Sequence, residues 1–479
     1  MAFRDLRDFL HALKERGELR EVRVSLDPVL EIAEVTARVS RSAGPALLFS
    51  RPRGFAVPVL TNLMGSPQRV KLAFGGDPEE KGEELFGILD PAKGGRGVFE
   101  AVKGLKRLRP FLSARPKKVK KGLCQEVVHR EPNLEALPHL KGWPADASRF
   151  ITAPLVITAD PETGQRNVGM YRMQVLGPRE VALHWHPGKG GFLHWKKAME
   201  RGQRLEVAVA IGVDPLTLWS STAPLPEGLD ELWLSGLLRQ KAVEVVEGVT
   251  VPLHVPARAE VVIEGYILPG EEVPEGPFGD HTGFYSPQAP FPLMHVTAIT
   301  HRRDPIYHAI VVGRPPMEDF YLGKATERFF LPLIKRVLPE VVDINMPPEG
   351  VFHNLLFVSI RKDFPGQARK VAHGLWGLGQ MASTKIIVVF DDDVNVQDLS
   401  ECLWVLGSNV DPERDVFIER GPLDLLDHAS PEEGYGSKMG IDATKKLPAE
   451  GHRRPWPEAI RSDPEVAKRV DELWEELGL

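Results

Sequence analysis

Cysteine is nearly absent from this 479-residue sequence: Cys124 and Cys402 are the only two. Thiols so few and so far apart exclude a disulfide framework and a CxxC metal site, and they point to a reducing, cytoplasmic compartment. A charge excess is missing too. Lys plus Arg number 60 and Asp plus Glu 66, a formal net charge of −6, so no global field draws the chain to nucleic acid or anionic lipid. No run approaches the ~18 apolar residues of a membrane helix. The opening MAFRDLRDFLHALKERG puts charges where a signal peptide needs apolar residues. The patterns GxxxxGKS/T, HExxH, GxSxG and GxGxxG do not occur. Common nucleotide-hydrolase, zincin and lipase readings therefore lack support. What is present is the balance of a folded soluble protein, 42% hydrophobic and 26% charged, long enough for two or three domains.

Phe3, Leu6, Phe9, Leu10 and Leu13 recur at helical spacing ahead of Gly17, which predicts an opening amphipathic helix. Short apolar runs between turn residues then predict a small α/β domain over residues 1–110. Lys103, Lys106, Arg107, Arg109, Arg115, Lys117, Lys118, Lys120 and Lys121 cluster around two prolines and read as an exposed connector or a phosphate-binding strip. Over 122–315, PLVITAD, VGMYRMQVLG, EVALHWH, LEVAVAIGVD, AEVVIEGYIL and HVTAITH predict an antiparallel barrel or sandwich. From 325 to 479, helix and strand patterns alternate as in a parallel α/β sheet, and PEVAKRVDELWEEL predicts a last amphipathic helix suited to packing on another subunit. The fold class is thus a mixed α+β and α/β multidomain protein.

Four constellations could carry chemistry. In a strand His184 and His186 share a face, so two imidazoles could address one metal or anion, or simply be half-exposed barrel histidines. The turn Ser220–Pro224, running on to Asp230 and Glu231 before the helix LWLSGLL, suits a phosphate or a cation, though either acid alone serves equally as a helix N-terminal acid. Glu275 and Asp280, five apart in a glycine- and proline-held loop, can split their pKa values, one protonated as donor and the other ionised beside a cation such as Arg172. Lys385 opens a strand ending in Asp391-Asp392-Asp393, which reads as a capped turn, and Gly436–Thr444 reads as a tight, glycine-rich loop.

Taken in order, NxGxYR at 167–172, the proline-containing run ending at Glu231, EGPFGDHTGFY at 275–285, YHAIVVGRPPMED at 307–319, FDDDVNVQD at 390–398 and GSKMGIDATKK at 436–446 resemble the UbiD family of decarboxylases. The similarity is greatest to the 3-polyprenyl-4-hydroxybenzoate carboxy-lyase branch. The resemblance implies an N-terminal α/β domain, a central split β-barrel like that of flavin reductases, and a C-terminal α/β domain whose last helix joins subunits in dimers or hexamers. It implies prenylated FMN, made by a separate flavin prenyltransferase, together with Mn²⁺ or another divalent cation and K⁺ as a further ion. Asn167 and Glu231 match metal ligands. Relatives supply a third from a histidine ahead of a Gly-Gly pair, where this chain reads Pro187-Gly188-Lys189-Gly190-Gly191, leaving His186 or His184 as stand-in. Met170, Tyr171, Arg172, His184, Trp185, His186, Lys189 and Gly190 match flavin-lining positions. Ser221, Thr222, Ala223 and Pro224 match a loop against the cofactor, and Lys385 matches a phosphate contact.

The implied reaction is non-oxidative loss of CO₂ from an aromatic acid, such as a 4-hydroxybenzoate-type precursor of ubiquinone or menaquinone, through a covalent adduct with the prenylated flavin. Arg172 would clamp the carboxylate, Asp280 would donate the proton and Glu275 would tune both. A lipid-tailed substrate would bring the protein to the membrane surface without a spanning segment. Two other readings stand beside this one: a zinc-dependent hydrolase using His184, His186 and Glu231 with Asp280 as base, and a non-catalytic flavin-binding protein of the same fold.

Overall fold

The structure, a computed structural model, describes residues 3–88, 111–460 and 462–478. Of the basic cluster, Lys103, Lys106, Arg107 and Arg109 lie outside the described residues. Lys117–Lys118 forms a short strand pairing in parallel with Glu244–Glu247, its side chains exposed. The opening helix, Leu6–Glu15, forms as its spacing predicts. Asp5 caps it by accepting the Asp8 N–H, and Leu6, Phe9, Leu10 and Leu13 are buried. A four-stranded sheet follows, ordered Leu19–Val22, Ala46–Phe49, Val59–Thr61 and Tyr307–His308, so the chain returns to it after the central region.

Nine antiparallel strands form the central sheet. Its ladder runs Phe150–Ile151, Met173–Gly177, Glu180–Leu183, Ala289–His301, Val261–Glu275, Leu205–Ile211, Leu155–Ala159 and Arg166–Met170, with Val127–His129 pairing beside Ala289–His301. Both faces are covered. Along Leu205–Ile211, Val207, Val209 and Ile211 enter one core while Ala208 and Ala210 enter another, which explains the unbroken apolar run LEVAVAI. The single strand expected over 168–177 is in fact two, Arg166–Met170 and Met173–Gly177, near opposite ends of the ladder. Only Tyr171 and Arg172 join them, a reach of about 10 Å at most. The sheet is therefore rolled, but no hydrogen-bonded ladder closes across this seam among the described residues, so the barrel expectation is not met in a closed form.

The C-terminal sheet is ordered Val341–Asn345, Leu355–Ile360, Ile386–Asp391, Tyr435–Asp442 and Val416–Pro422. Its middle three strands are parallel, as the alternating pattern predicts, and the outer two are antiparallel. Gly436–Thr444 is mostly strand, correcting the loop reading. Its glycines serve packing, since a Cβ on Gly440 would lie 2.0 Å from the Phe417 ring. Gly440→Ala is expected to cost about 1–3 kcal/mol by overpacking, measured by urea denaturation; unchanged stability would remove Phe417 as the reason for that glycine. The helix Glu318–Val337 spans two cores, with Tyr321, Ala325 and Phe329 in the first and Leu331 and Ile334 in the C-terminal one. Among the described residues no helix is long and apolar enough to cross a membrane.

Candidate active site

Two acids five residues apart meet one guanidinium. Glu275 closes the strand Val261–Glu275, and Asp280 follows the short strand Phe278–Gly279. Gly276, at φ +90°, makes the turn between them and donates its N–H to Gln174 Oε1 at 2.7 Å. Gly279 donates to Asp146 Oδ1 at 2.7 Å, and Trp143 lies where a side chain would begin, 2.1 Å from an added Cβ. Arg172 enters from the seam. Its Nε and Nη2 donate to Glu275 Oε1 and Oε2 at 2.8 and 3.1 Å, Nη2 also donates to Ser286 Oγ at 2.9 Å, and Nη1 donates to Asp280 Oδ2. The Phe278 ring lies 4.6 Å from the guanidinium carbon. Side-chain exposure is 10% for Arg172, 0% for Glu275 and 8% for Asp280, so these charges attract in a largely water-free setting.

The network extends from both acids. His184 Nδ1 lies 2.9 Å from Glu275 Oε2, and its Nε2 lies 2.8 Å from His186 Nε2. Beyond Asp280, Oδ1 accepts the His281 backbone N–H at 2.8 Å and lies 3.0 Å from His281 Nδ1, while His281 Nε2 stands 2.9 Å from His353 Nε2. The expected division of the two acids into one protonated and one ionised is not found. Burial would raise both carboxyls, but His184 with Arg172 outweighs it at Glu275, and His281 with Arg172 outweighs it at Asp280, leaving both below the ordinary carboxylate range.

The strand preceding the histidine pair ends at Leu183, so His184 and His186 do not share a strand face as the alternation predicted. They bind each other instead. Burial lowers both imidazoles, His186 to about 4 with the His184 charge contributing. Trp185 between them is buried and its Nε1 has no partner.

A second cluster forms around Asn167. Asp230 caps the helix Glu231–Leu238 and pairs with Arg166 at 2.7 Å, the plain helix-terminus role. Glu231 turns inward, its Oε2 accepting the Val168 N–H at 2.9 Å, and burial pushes its carboxyl up to about 7. Asn167 Nδ2 is buried and unpartnered, and a Cβ on Gly190 would lie 2.0 Å from Asn167 Oδ1. Tyr171 accepts the Gly191 N–H at 3.3 Å. Lys189 precedes the helix Gly190–Glu200 without a side-chain cap bond, and burial lowers its ammonium against the opposing pull of Asp424. Ser221 O accepts the Met170 N–H at 3.2 Å, which ties the turn carrying Thr222, Ala223 and Pro224 to this cluster; Ser220 Oγ is buried and unpartnered.

Two expected members have other partners. Lys385 is engaged with Asp427 at 2.7 Å. His186 is held on His184, not on Asn167 or Glu231, and among the described residues no three His, Cys, Asp or Glu side chains converge to hold a metal ion. The zinc triad of His184, His186 and Glu231 is therefore not assembled. The residues of the second cluster still fit a cation and an anionic cofactor. A buried carboxylate beside an amide is an oxygen donor set for a hard cation. The orphaned donors Asn167 Nδ2, Trp185 Nε1 and Ser220 Oγ, with the Lys189 ammonium, suit a phosphate-bearing ligand.

Sequence reasoning missed Ser286, Asp319, His353 and Asp424. Asp424 acts electrostatically on His186, Lys189, His281 and His353, although it follows a C-terminal strand. His281 stood inside a quoted motif, and its place next to Asp280 was the signal available.

Comparison with known proteins agrees over nearly the whole chain. Residues 10–89, 117–315 and 320–443 match the N-terminal, Rift-related and C-terminal domains of 3-octaprenyl-4-hydroxybenzoate carboxy-lyase. An uncharacterised protein of Aquifex aeolicus is 53% identical over 100% of this chain and 99% of its own. The UbiD-class enzyme HmfF from Pelotomaculum thermopropionicum, solved in complex with FMN, is 34% identical with a TM-score of 0.82, covering 97% of this chain and 98% of that one. The vanillic acid decarboxylase of Sedimentibacter hydroxybenzoicus, in closed form, gives 28% identity and a TM-score of 0.85 over 99% and 100% of the two chains. With all three domain types matched in order around this arginine and its two acids, the chain belongs to the UbiD family of carboxy-lyases.

Proposed function

We propose that this protein releases CO₂ from an aromatic acid without oxidation, and that Arg172, Glu275 and Asp280 are its catalytic residues. The observation that carries the reading is the buried contact of one guanidinium with two carboxylates at the seam of the central sheet. Loss of CO₂ from an sp² carbon leaves an electron pair that side chains cannot delocalise, and prenylated FMN, when bound, supplies the electron sink. The chain's own residues do the rest. Arg172 is placed to bind the substrate carboxylate, exchanging part of its contact with Glu275 or Asp280 for the incoming anion. Glu275 keeps the guanidinium oriented, and Asp280 delivers a proton to the carbon that CO₂ leaves. Phe278, Trp143 and the loop between the acids exclude water.

Met170, Tyr171, His184 to His186, Lys189, Gly190 and the turn Ser221 to Pro224 would line the flavin, with Lys189 nearest in chemistry to its phosphate. Asn167 and Glu231 would hold Mn²⁺, with water completing the shell that His186 does not reach. The rolled, unclosed central sheet is read as the split barrel that cradles the cofactor. A phenolic acid of the 4-hydroxybenzoate or vanillate type is the substrate class, and the exposed face of the helix Pro464–Leu477, bearing Val466, Val470, Leu473 and Trp474, would meet a second copy.

The test is CO₂ release by protein co-expressed with a flavin prenyltransferase and supplied with Mn²⁺, across a panel of aryl acids. Release that tracks the prenylated flavin supports the reading; a loaded enzyme inert to the whole panel overturns it. Glu231→Gln removes the cation's one charged ligand and is expected to weaken Mn²⁺ binding by at least about tenfold, measured by titration with Mn²⁺ alone. Unchanged affinity would move the cation elsewhere.

A further inference from the structure

Decarboxylation consumes one proton for each CO₂ released. In the reading above Asp280 delivers that proton, yet Asp280 is held as a carboxylate, tied through Oδ2 to Arg172 and through Oδ1 to His281. The proton has to be stored within reach, and His281 is the group placed to store it. An ionised carboxylate only accepts hydrogen bonds, so His281 Nδ1, 3.0 Å from Asp280 Oδ1, carries a hydrogen. At the far edge of the ring, Nε2 lies 2.9 Å from His353 Nε2, a contact in which one ring donates and the other accepts. His353 is suited to accept. Burial, reinforced by the charge on His281, lowers it to about 4 and keeps it neutral. A neutral His353 offering its Nε2 lone pair leaves His281 with hydrogens on both nitrogens.

The groups facing His281 favour that charge. Asp280 belongs to its own loop, Asp319 opens the helix Glu318–Val337, and Asp424 follows the strand Val416–Pro422. Burial pushes Asp319 itself up to about 7, so it is a weaker partner than Asp280. Arg172 is the opposing cation, and its charge is already engaged by Glu275 and Asp280. The presenting turn is costly to build. Val351 and Phe352 are non-glycine residues in the left-handed region, at φ +58° and +44°, and Phe352 packs its ring 5.6 Å from that of His281.

We propose that the acid completing the reaction is the Asp280–His281 pair, in which His281 holds the proton as an imidazolium and His353 is the positioning residue that keeps it so. The proposal rests on the decarboxylase reading. The steps balance. The Nδ1–H bond of His281 breaks as an O–H bond forms on Asp280 Oδ1; that O–H bond breaks as the new C–H bond forms; and the electron pair of the broken C–CO₂ bond ends in the C–H bond. His281 is left neutral with its hydrogen on Nε2 toward His353, and one solvent proton restores it after product leaves. Because His353 follows the C-terminal turn while His281 belongs to the central loop, the acid is complete only when these two parts of the chain are packed together.

Full-length protein labelled with ¹⁵N at histidine, with and without cofactor, tests this directly. At pH 8 both His281 ring nitrogens are expected to give imidazolium shifts and His353 those of a neutral ring; Asp280→Asn should return His281 to the neutral form. His353→Leu removes the acceptor, whereas His353→Gln keeps one. The leucine variant is expected to lower the His281 midpoint by about one pH unit and to carry the alkaline limb of kcat down with it, so that kcat falls about tenfold at pH values above both limbs, with KM nearly unchanged. The glutamine variant should restore both. A neutral His281 at pH 8 in the intact protein overturns the proposal, as does a His353→Leu alkaline limb that stays in place. Both results leave decarboxylation standing, whereas a loaded wild-type enzyme that releases no CO₂ from any aryl acid sinks the parent reading and this one together.

Discussion

Asp280→Asn is expected to keep the protein folded and its flavin bound while reducing turnover by about 100- to 10,000-fold. Asparagine is nearly isosteric with aspartate. Its carbonyl oxygen can still accept from Arg172 or from His281, so the loop between Gly276 and Gly279 keeps its anchors to Gln174 and Asp146. What it cannot do is carry a proton to carbon. Bound-flavin absorbance and CO₂ release, measured on one sample, separate these two properties. Normal turnover at full flavin occupancy would refute the assignment of Asp280 as donor.

Arg172→Ala is expected to abolish decarboxylation and also to cost about 3–5 kcal/mol of stability at neutral pH, because two buried carboxylates lose their shared counter-ion. The pH dependence has a definite sign. In the wild type both folded pKa values are lowered, so the cluster's contribution is present above the ordinary carboxylate range and fades as pH falls toward the folded values. Without the guanidinium, mutual repulsion and burial raise at least one of these carboxyls. The variant therefore gains stability as the medium is acidified from pH 7 to pH 5, and the gap to wild type narrows. Urea denaturation at the two pH values checks this. Arg172→Lys supplies a point charge without the planar fork and should recover part of the stability but little of the turnover. A gap independent of pH would mean that the two carboxylates are not the source of the loss.

Much of this arrangement was legible in residue order. The opening helix followed from Leu6, Phe9, Leu10 and Leu13, and the buried C-terminal strands from unbroken runs such as LLFVSI and KIIVVF, whose alternate residues enter two different cores. The grouping of Arg172, Glu275 and Asp280 could be anticipated because the loop joining the acids is short and glycine-held. Three things were not legible. VGMYRMQVLG alternates well enough for one strand, and only tertiary pairing splits it at Tyr171, since the two halves join different neighbours. The protonation pattern depends on His184, which only three-dimensional packing brings to Glu275, and on the ring contacts of His281, which its place next to Asp280 does not reveal. His353 lies 72 residues from His281 and carries no local pattern that ties it to the site. The glycines of 436–444 misled because space for an aromatic ring and freedom to turn look alike in a sequence.

The helix Glu318–Val337 carries a consequence for motion. Pro332 falls within it, where the side chains pass from one core to the other, Phe329 on one side and Leu331 and Ile334 on the next. A proline there has no N–H to offer the Arg328 carbonyl, so the helix is softest at the boundary between the parts it joins. The turn presenting His353 packs before that point, the Phe352 ring lying 6.0 Å from that of Phe320 and Asn345 accepting from Lys324, so Asp319 and His353 stand on the same side of Pro332 and bending there leaves the two histidine rings together.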